Sequence, residues 1–105
     1  MPIITSGTGV ITQINVFTCD PANQAALIAL LAEGARSVSD VEGWISASIH
    51  RGLEGDRVVN YAQVRDPAAQ DRVMARLRAT DFFARNAALG TAHPGLYEVA
   101  VTIGG

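Results

Sequence analysis

Trp44-Ile45-Ser46-Ala47-Ser48-Ile49-His50-Arg51 and Arg57-Val58-Val59-Asn60-Tyr61-Ala62-Gln63-Val64-Arg65 flank a short connection over Gly52–Asp56. Both stretches are rich in β-formers and the connection holds two glycines, so they read as two strands of a hairpin. Side chains alternate along a strand, which puts Val58, Asn60, Ala62 and Val64 on one face of the second strand. Asn60 thereby sets a carboxamide among apolar neighbours. A buried amide without a partner costs about 1–3 kcal/mol, so Asn60 is either a satisfied strand amide or a group that meets a polar ligand. The same alternation puts Trp44, Ser46, Ser48 and His50 on one face of the first strand, and Ile45, Ala47 and Ile49 on the other. A register that pairs Arg51 with Arg57 sets Trp44 opposite Val64, Ser48 opposite Asn60 and His50 opposite Val58. His50 then shares an apolar cleft with Asn60. Imidazole changes charge between about pH 5 and 8, which makes His50 a candidate base.

Outward from the hairpin, the pattern repeats itself. Val10 to Cys19 reads as a strand, and Asp20-Pro21 supplies a helix cap and a first-turn proline. Leu27, Leu30, Leu31, Gly34 and Val38 follow at helical spacing. After the hairpin, Asp66-Pro67 repeats the cap-plus-proline signal. Val73, Met74 and Leu77 give the second helix its apolar stripe. Thr80-Asp81 interrupts it, Phe82 to Leu89 reads as a further short helix, and Pro94-Gly95 precedes a last strand over Leu96 to Ile103. The order β-α-β-β-α-(α)-β predicts an α+β, ferredoxin-like split arrangement, an antiparallel sheet with helices on one face. Residues 1–9 read as an arm and residues 10–105 as a single domain. With Ile45, Ala47 and Ile49 on one side and Trp44 and Ala62 on the other, the sheet is expected to be apolar on both faces. Such a sheet wants a second cover, most simply the same sheet of a second subunit.

Composition narrows the function classes. The 105 residues are 49% hydrophobic and 17% charged, with a net charge of −2. No basic footprint for nucleic acid or anionic lipid is present, and no apolar run reaches membrane-span length. The first residues lack the pattern of a secretory signal, and the single cysteine, Cys19, excludes an internal disulfide. Both features predict a cytoplasmic protein. Neither a glycine-rich phosphate loop, a Gly-x-Ser-x-Gly elbow nor a His-Glu-x-x-His motif occurs. His50 and His93 have no acidic companions at ligand spacing, so no metal is expected.

Val41-Glu42-Gly43-Trp44-Ile45-Ser46-Ala47-Ser48-Ile49-His50-Arg51, then Gly55, then Val58-Val59-Asn60-Tyr61-Ala62-Gln63, with Thr12-Gln13-Ile14-Asn15-Val16-Phe17 before them, resembles the antibiotic biosynthesis monooxygenase (ABM) family. The resemblance implies a homodimeric α+β barrel with a pocket between helices and sheet in each subunit. Some members oxidise aromatic polyketides to quinones with O₂ and without flavin, haem or metal, so no cofactor is implied. In these, a deprotonated phenol yields a carbanion that reduces O₂, while the protein positions substrate and stabilises developing charge. The resemblance makes Asn60 and His50 the candidate catalytic residues.

One departure bears on the chemistry. Quinone-forming members commonly carry tryptophan where this chain has Val64, so an indole donor is missing there. In the register above, Trp44 faces Val64 and fills that volume. A haem-degrading branch relies on a tryptophan and a helix histidine that this chain lacks. Trp44, Val64, Phe82, Phe83 and Arg85 are the candidate substrate-binding residues for a small aromatic ligand. Trp44, Phe82 and Phe83 have core packing as the alternative role, and Arg85 a solvated surface. Two further functions stay open on the same scaffold: a non-catalytic small-molecule binding protein, and an isomerase or cyclase with His50 as base.

Overall fold

The computed structural model describes residues 8–104. Of the expected arm over residues 1–9, residues 1–7 lie outside the described residues, and Thr8 and Gly9 are exposed. Strand β1 spans Ile11–Cys19 and is followed by a 3₁₀ turn at Pro21–Asn23 and helix α1, Gln24–Val38. The β2–β3 hairpin, Trp44–Arg51 and Arg57–Val64, leads to α2, Pro67–Arg78, α3, Phe82–Leu89, and β4, Gly90–Tyr97. The four strands form one antiparallel sheet in the order β2-β3-β1-β4. This is the ferredoxin-like α+β arrangement, with the helices on one face.

Asp66-Pro67 caps α2 as read, while Asp20-Pro21 caps the 3₁₀ turn that leads into α1, whose own N-cap, Asn23, makes no side-chain cap. Asp20 accepts from the Ala22 N–H at 2.8 Å, and Asp66 accepts from the Ala69 N–H at 2.8 Å. Each aspartate satisfies an orphan donor of a first turn, and the following proline needs none. The five apolar positions read for α1 are its five buried residues. Leu27 and Leu31 pack with Phe17 and Val58 in one cluster. Val38, Val41, Val64, Ala69 and Val73 form another. Burial of each such side chain is worth roughly 1.5–3 kcal/mol.

Two expectations need correction. The last strand begins at Gly90 and ends at Tyr97, whereas Leu96 to Ile103 was expected. Pro94-Gly95 lies inside the strand because β4 is an edge that pairs with β1 alone, and proline is tolerated on edges. Residues 98–103 adopt no regular structure, and Val101 and Ile103 are exposed.

The second correction concerns β2. Trp44 pairs with Val64 as expected, but the next aligned pair is Ser46 with Gln63. Ile45 is an extra residue, a β-bulge. Beside it, Gly43 has φ +89° and its carbonyl accepts from the Arg65 N–H at 2.7 Å. Beyond the bulge the register differs by one from the expected one. Ser48 lies opposite Tyr61 and His50 opposite Val59. A slip of one residue exchanges faces. Trp44, Ala47 and Ile49 therefore face the helices, and Ser46, Ser48 and His50 face away. Ala47 and Ile49 do not contribute to the apolar character of the open face. That character comes from the aligned pairs Ile14–Tyr61 and Val16–Val59.

Candidate active site

A cavity of about 410 Å³ lies between the helices and the sheet, within the size range of small-molecule sites. Its floor is the helix-facing side of the sheet: Gln13, Asn15 and Phe17 of β1, Trp44 and Ala47 of β2, and Asn60, Ala62 and Val64 of β3. Its roof comes from α1 (Leu31, Gly34, Ala35, Val38), α2 (Gln70, Val73, Met74, Leu77) and α3 (Phe82, Phe83, Asn86, Ala87). The start of β4 closes one side through Gly90, Thr91, Ala92 and Pro94. Gly34 sets how deeply the roof sits. A Cβ there would lie 2.2 Å from Cε1 of Phe82, so only glycine lets the Phe82 ring nest against α1. Phe82 and Phe83 meet edge to face at 5.5 Å.

The polar side chains of the cavity are mostly carboxamides, with the Trp44 indole and the Thr91 hydroxyl beside them. Asn60 and Asn15 are paired residues on adjacent strands. Asn15 Oδ1 accepts from the His93 N–H at 3.0 Å, which fixes the amide orientation and leaves the Nδ2 hydrogens as donors. Asn60 Oδ1 is buried and has no hydrogen-bond partner among the described residues. Asn86, on the roof, is also buried with an unpartnered Oδ1. Gln13 and Gln70 complete the set. Among the described lining residues there is no Asp, Glu, His, Lys, Arg, Tyr or Cys. The cavity can orient a polar molecule and donate N–H groups to developing negative charge. It holds no side chain that can take a proton at neutral pH, and no cation to bind an anion.

Asn60, Trp44, Val64, Phe82 and Phe83 thus line one cavity, and Trp44 packs against the cluster that contains Val64. His50 does not belong to this group. It is exposed on the opposite face of the sheet, because the bulge at Ile45 exchanges the faces of β2. Arg85 also stays outside. Its guanidinium donates to Glu33 at 3.0 and 3.3 Å and lies 3.9 Å from Asp81. The hydrogen bonds to Glu33, with both carboxylate charges, raise its pKa above the ordinary value. This pair ties α3 to α1 on the surface rather than reaching into the cleft. Sequence reasoning missed Asn15, Asn86, Gln13 and Gln70. Asn86 follows Phe82 by four residues, so helical spacing already places it on the same face of α3.

The sequence over residues 10–85 matches the family model for antibiotic biosynthesis monooxygenases. No curated protein matches significantly. Among solved structures, SnoaB of Streptomyces nogalater, a cofactor-independent oxygenase, was crystallised in a form with an asparagine replaced by alanine. It aligns with a TM-score of 0.81 at 23% identity, over 90% of this chain and 97% of that one. The ActVA-Orf6 monooxygenase of Streptomyces coelicolor, solved in complex with nanaomycin D, aligns with a TM-score of 0.77 at 26% identity, over 89% of each chain. Rv0793 of Mycobacterium tuberculosis aligns with a TM-score of 0.77 at 18% identity, over 90% of this chain and 99% of that one. With the family model spanning most of its length, the chain belongs to the antibiotic biosynthesis monooxygenase family.

Proposed function

We propose that this protein is a cofactor-independent monooxygenase that oxidises a phenolic or polycyclic aromatic substrate with O₂. The observation that carries the reading is the apolar cavity whose polar side chains are uncharged and mostly carboxamides, with Asn60 Oδ1 unpartnered among the described residues at its floor. The family and the oxygenases among its structural relatives support it. In the reaction, the phenol loses its proton to water, and the electron-rich ring carbon gives electrons to O₂ and bonds to one oxygen atom. That atom becomes the new quinone carbonyl. The other leaves as water with the two hydrogens removed from the substrate. Asn60 and Asn15 hydrogen-bond the oxygen functions on which charge develops. Trp44, Phe82 and Phe83 hold the ring and exclude water. Val64 offers no donor, so charge stabilisation falls chiefly to the amides, with the Trp44 N–H and the Thr91 hydroxyl as the other side-chain donors in the lining.

The test is oxygen uptake with a panel of dihydroxyaromatic compounds. Asn60→Ala should lower turnover about 100- to 1000-fold, the loss expected for one hydrogen bond to developing charge. The fold should survive, because Asn60 Oδ1 satisfies no protein donor. If the wild-type protein binds such compounds without consuming O₂, it is a binding protein on this scaffold. The isomerase or cyclase reading required His50 as a base within the cleft, and His50 lies on the other face.

The protein acts in this reading as a homodimer joined through the open face of the sheet. Ile14, Val16, Val59 and Tyr61 form a contiguous apolar patch there, in a chain 49% hydrophobic. The uncovered segment after β4, with Val101 and Ile103 exposed, adds apolar surface that a second copy would bury. No described helix is long and apolar enough to cross a membrane.

A further inference from the structure

Asn86 is 6% exposed, and its Oδ1 has no hydrogen-bond partner among the described residues. Leaving a buried amide unsatisfied destabilises a fold, so an amide kept in that state points to a partner outside the chain. Asn86 lines the same cavity as Asn60 but enters it from α3, whereas Asn60 enters from the sheet. The helix holding Asn86 is fixed by the Phe82 ring against Gly34 and by the Arg85–Glu33 pair. The group is therefore held in place rather than left to swing toward a protein partner.

We propose that Asn86 is a second ligand-anchoring residue. With Asn60 it makes the cavity select an uncharged, flat aromatic molecule that carries oxygen functions on two opposite edges. One oxygen meets the sheet amides and the other meets Asn86. An amide can present either its oxygen or its NH₂ end, so Asn86 accepts both hydroxyl and carbonyl groups. Carboxylates and phosphates are excluded, since no cation lines the cavity to offset their desolvation. The inference rests on the monooxygenase reading only for the identity of the cavity as the site. It concerns binding and is tested without O₂.

Trp44 is the single tryptophan of the chain and lines the cavity, so its fluorescence reports occupancy. Under nitrogen, 1,5-dihydroxynaphthalene and 1-naphthol are titrated into the wild-type protein and into Asn86→Leu. The diol should bind the wild-type protein about tenfold more tightly than the mono-ol, the value of one net hydrogen bond. Asn86→Leu should abolish that preference while leaving 1-naphthol within about twofold. The melting temperature of the free Asn86→Leu protein should stay level or rise, because the substitution removes an unpartnered amide. A wild-type protein with no preference for the diol overturns the proposal. Equal losses for both probes, or no loss for either, do the same. Should Asn86→Leu perturb the fold, Asn86→Ala is the second variant. A melting temperature lowered in both marks a structural amide and also ends the proposal. Oxygen uptake plays no part in these outcomes, so a protein that binds as described but never oxidises would refute the proposed function alone.

Discussion

The two faces of the sheet are built by the same strands and carry different chemistry. On the helix-facing side, Asn15 and Asn60 lie among apolar residues with no titratable side chain beside them. On the open side, Ser48 and His50 of β2 and His93 of β4 flank a patch of Ile14, Val16, Val59 and Tyr61. One extra residue, Ile45, decides which side chain goes where. Without the bulge, a continuous β2 with Trp44 over Val64 would bring His50 to the cavity side. With it, Trp44 reaches the cavity and the imidazole is sent to the opposite face. The fold thereby separates the β2 histidine from the candidate reaction chamber. Chemistry in that chamber has to rely on uncharged hydrogen-bonding groups and on the acidity of the substrate itself.

The largest effect is expected on the open face. Val16→Glu would place a charge at the centre of the proposed subunit contact, at a cost of several kcal/mol through unpaired burial. Sedimentation should show an 11.0 kDa monomer or an unfolded chain in place of the proposed dimer. If the face is simply solvated, the substitution would cost no more than about 0.5 kcal/mol and leave the sedimentation unchanged.

A middling effect is expected where the register returns to the cavity. Trp44 and Val64 are paired across β2 and β3 on the helix-facing side. Val64 is already buried beside Trp44 in one cluster. Val64→Trp should therefore overpack the cavity by roughly 1–3 kcal/mol, read as a shift in the urea midpoint. Trp44→Val combined with Val64→Trp should recover part of that cost. Strictly additive costs would show that the two side chains do not share space.

The smallest effect is expected at the cap of α2, the helix that supplies Gln70, Val73, Met74 and Leu77 to the roof. The Ala69 N–H, and then Arg65, hold the Asp66 carboxyl below its ordinary value of 3.8. A depressed carboxylate pKa adds stability that is present above the unfolded value and lost as pH falls through the folded one. Asp66→Ala should lower the melting temperature modestly at neutral pH. The gap to wild type should close in acid below the ordinary carboxylate value, and a gap independent of pH would contradict this linkage. Subunit association should not respond.

Much of the helix layer was legible in the sequence because its signals are local. Asp66-Pro67 marks where α2 begins, Asp20-Pro21 marks the 3₁₀ turn that leads into α1, and the spacing of Leu27, Leu30, Leu31, Gly34 and Val38 marks a buried stripe. Asn60 was legible because an amide interrupts an apolar strand face. The faces of β2 were not. A bulge adds one residue without any change in composition, and Ile45 looks like every other strand isoleucine. Only Gly43 at φ +89° hints at the irregular entry. The last strand was misplaced because Pro94-Gly95 is a turn signal in most contexts and becomes harmless on an edge, which depends on strand order. Asn86 was hidden for a different reason. An asparagine on a short helix ordinarily faces water, and its burial follows from α3 folding back against α1 through Phe82 and Gly34.

The most direct measurement of the contrast between the two faces is the pH dependence of oxygen uptake with two dihydroxyaromatic substrates of clearly different acidity, run on the wild-type protein and on His50→Ala. A cavity without a titratable side chain predicts a rate that rises with substrate ionisation. The inflection should move with the substrate, and His50→Ala should leave both profiles unchanged. An inflection that stays at one pH for both substrates and disappears in His50→Ala would place a protein base in the reaction and contradict the account.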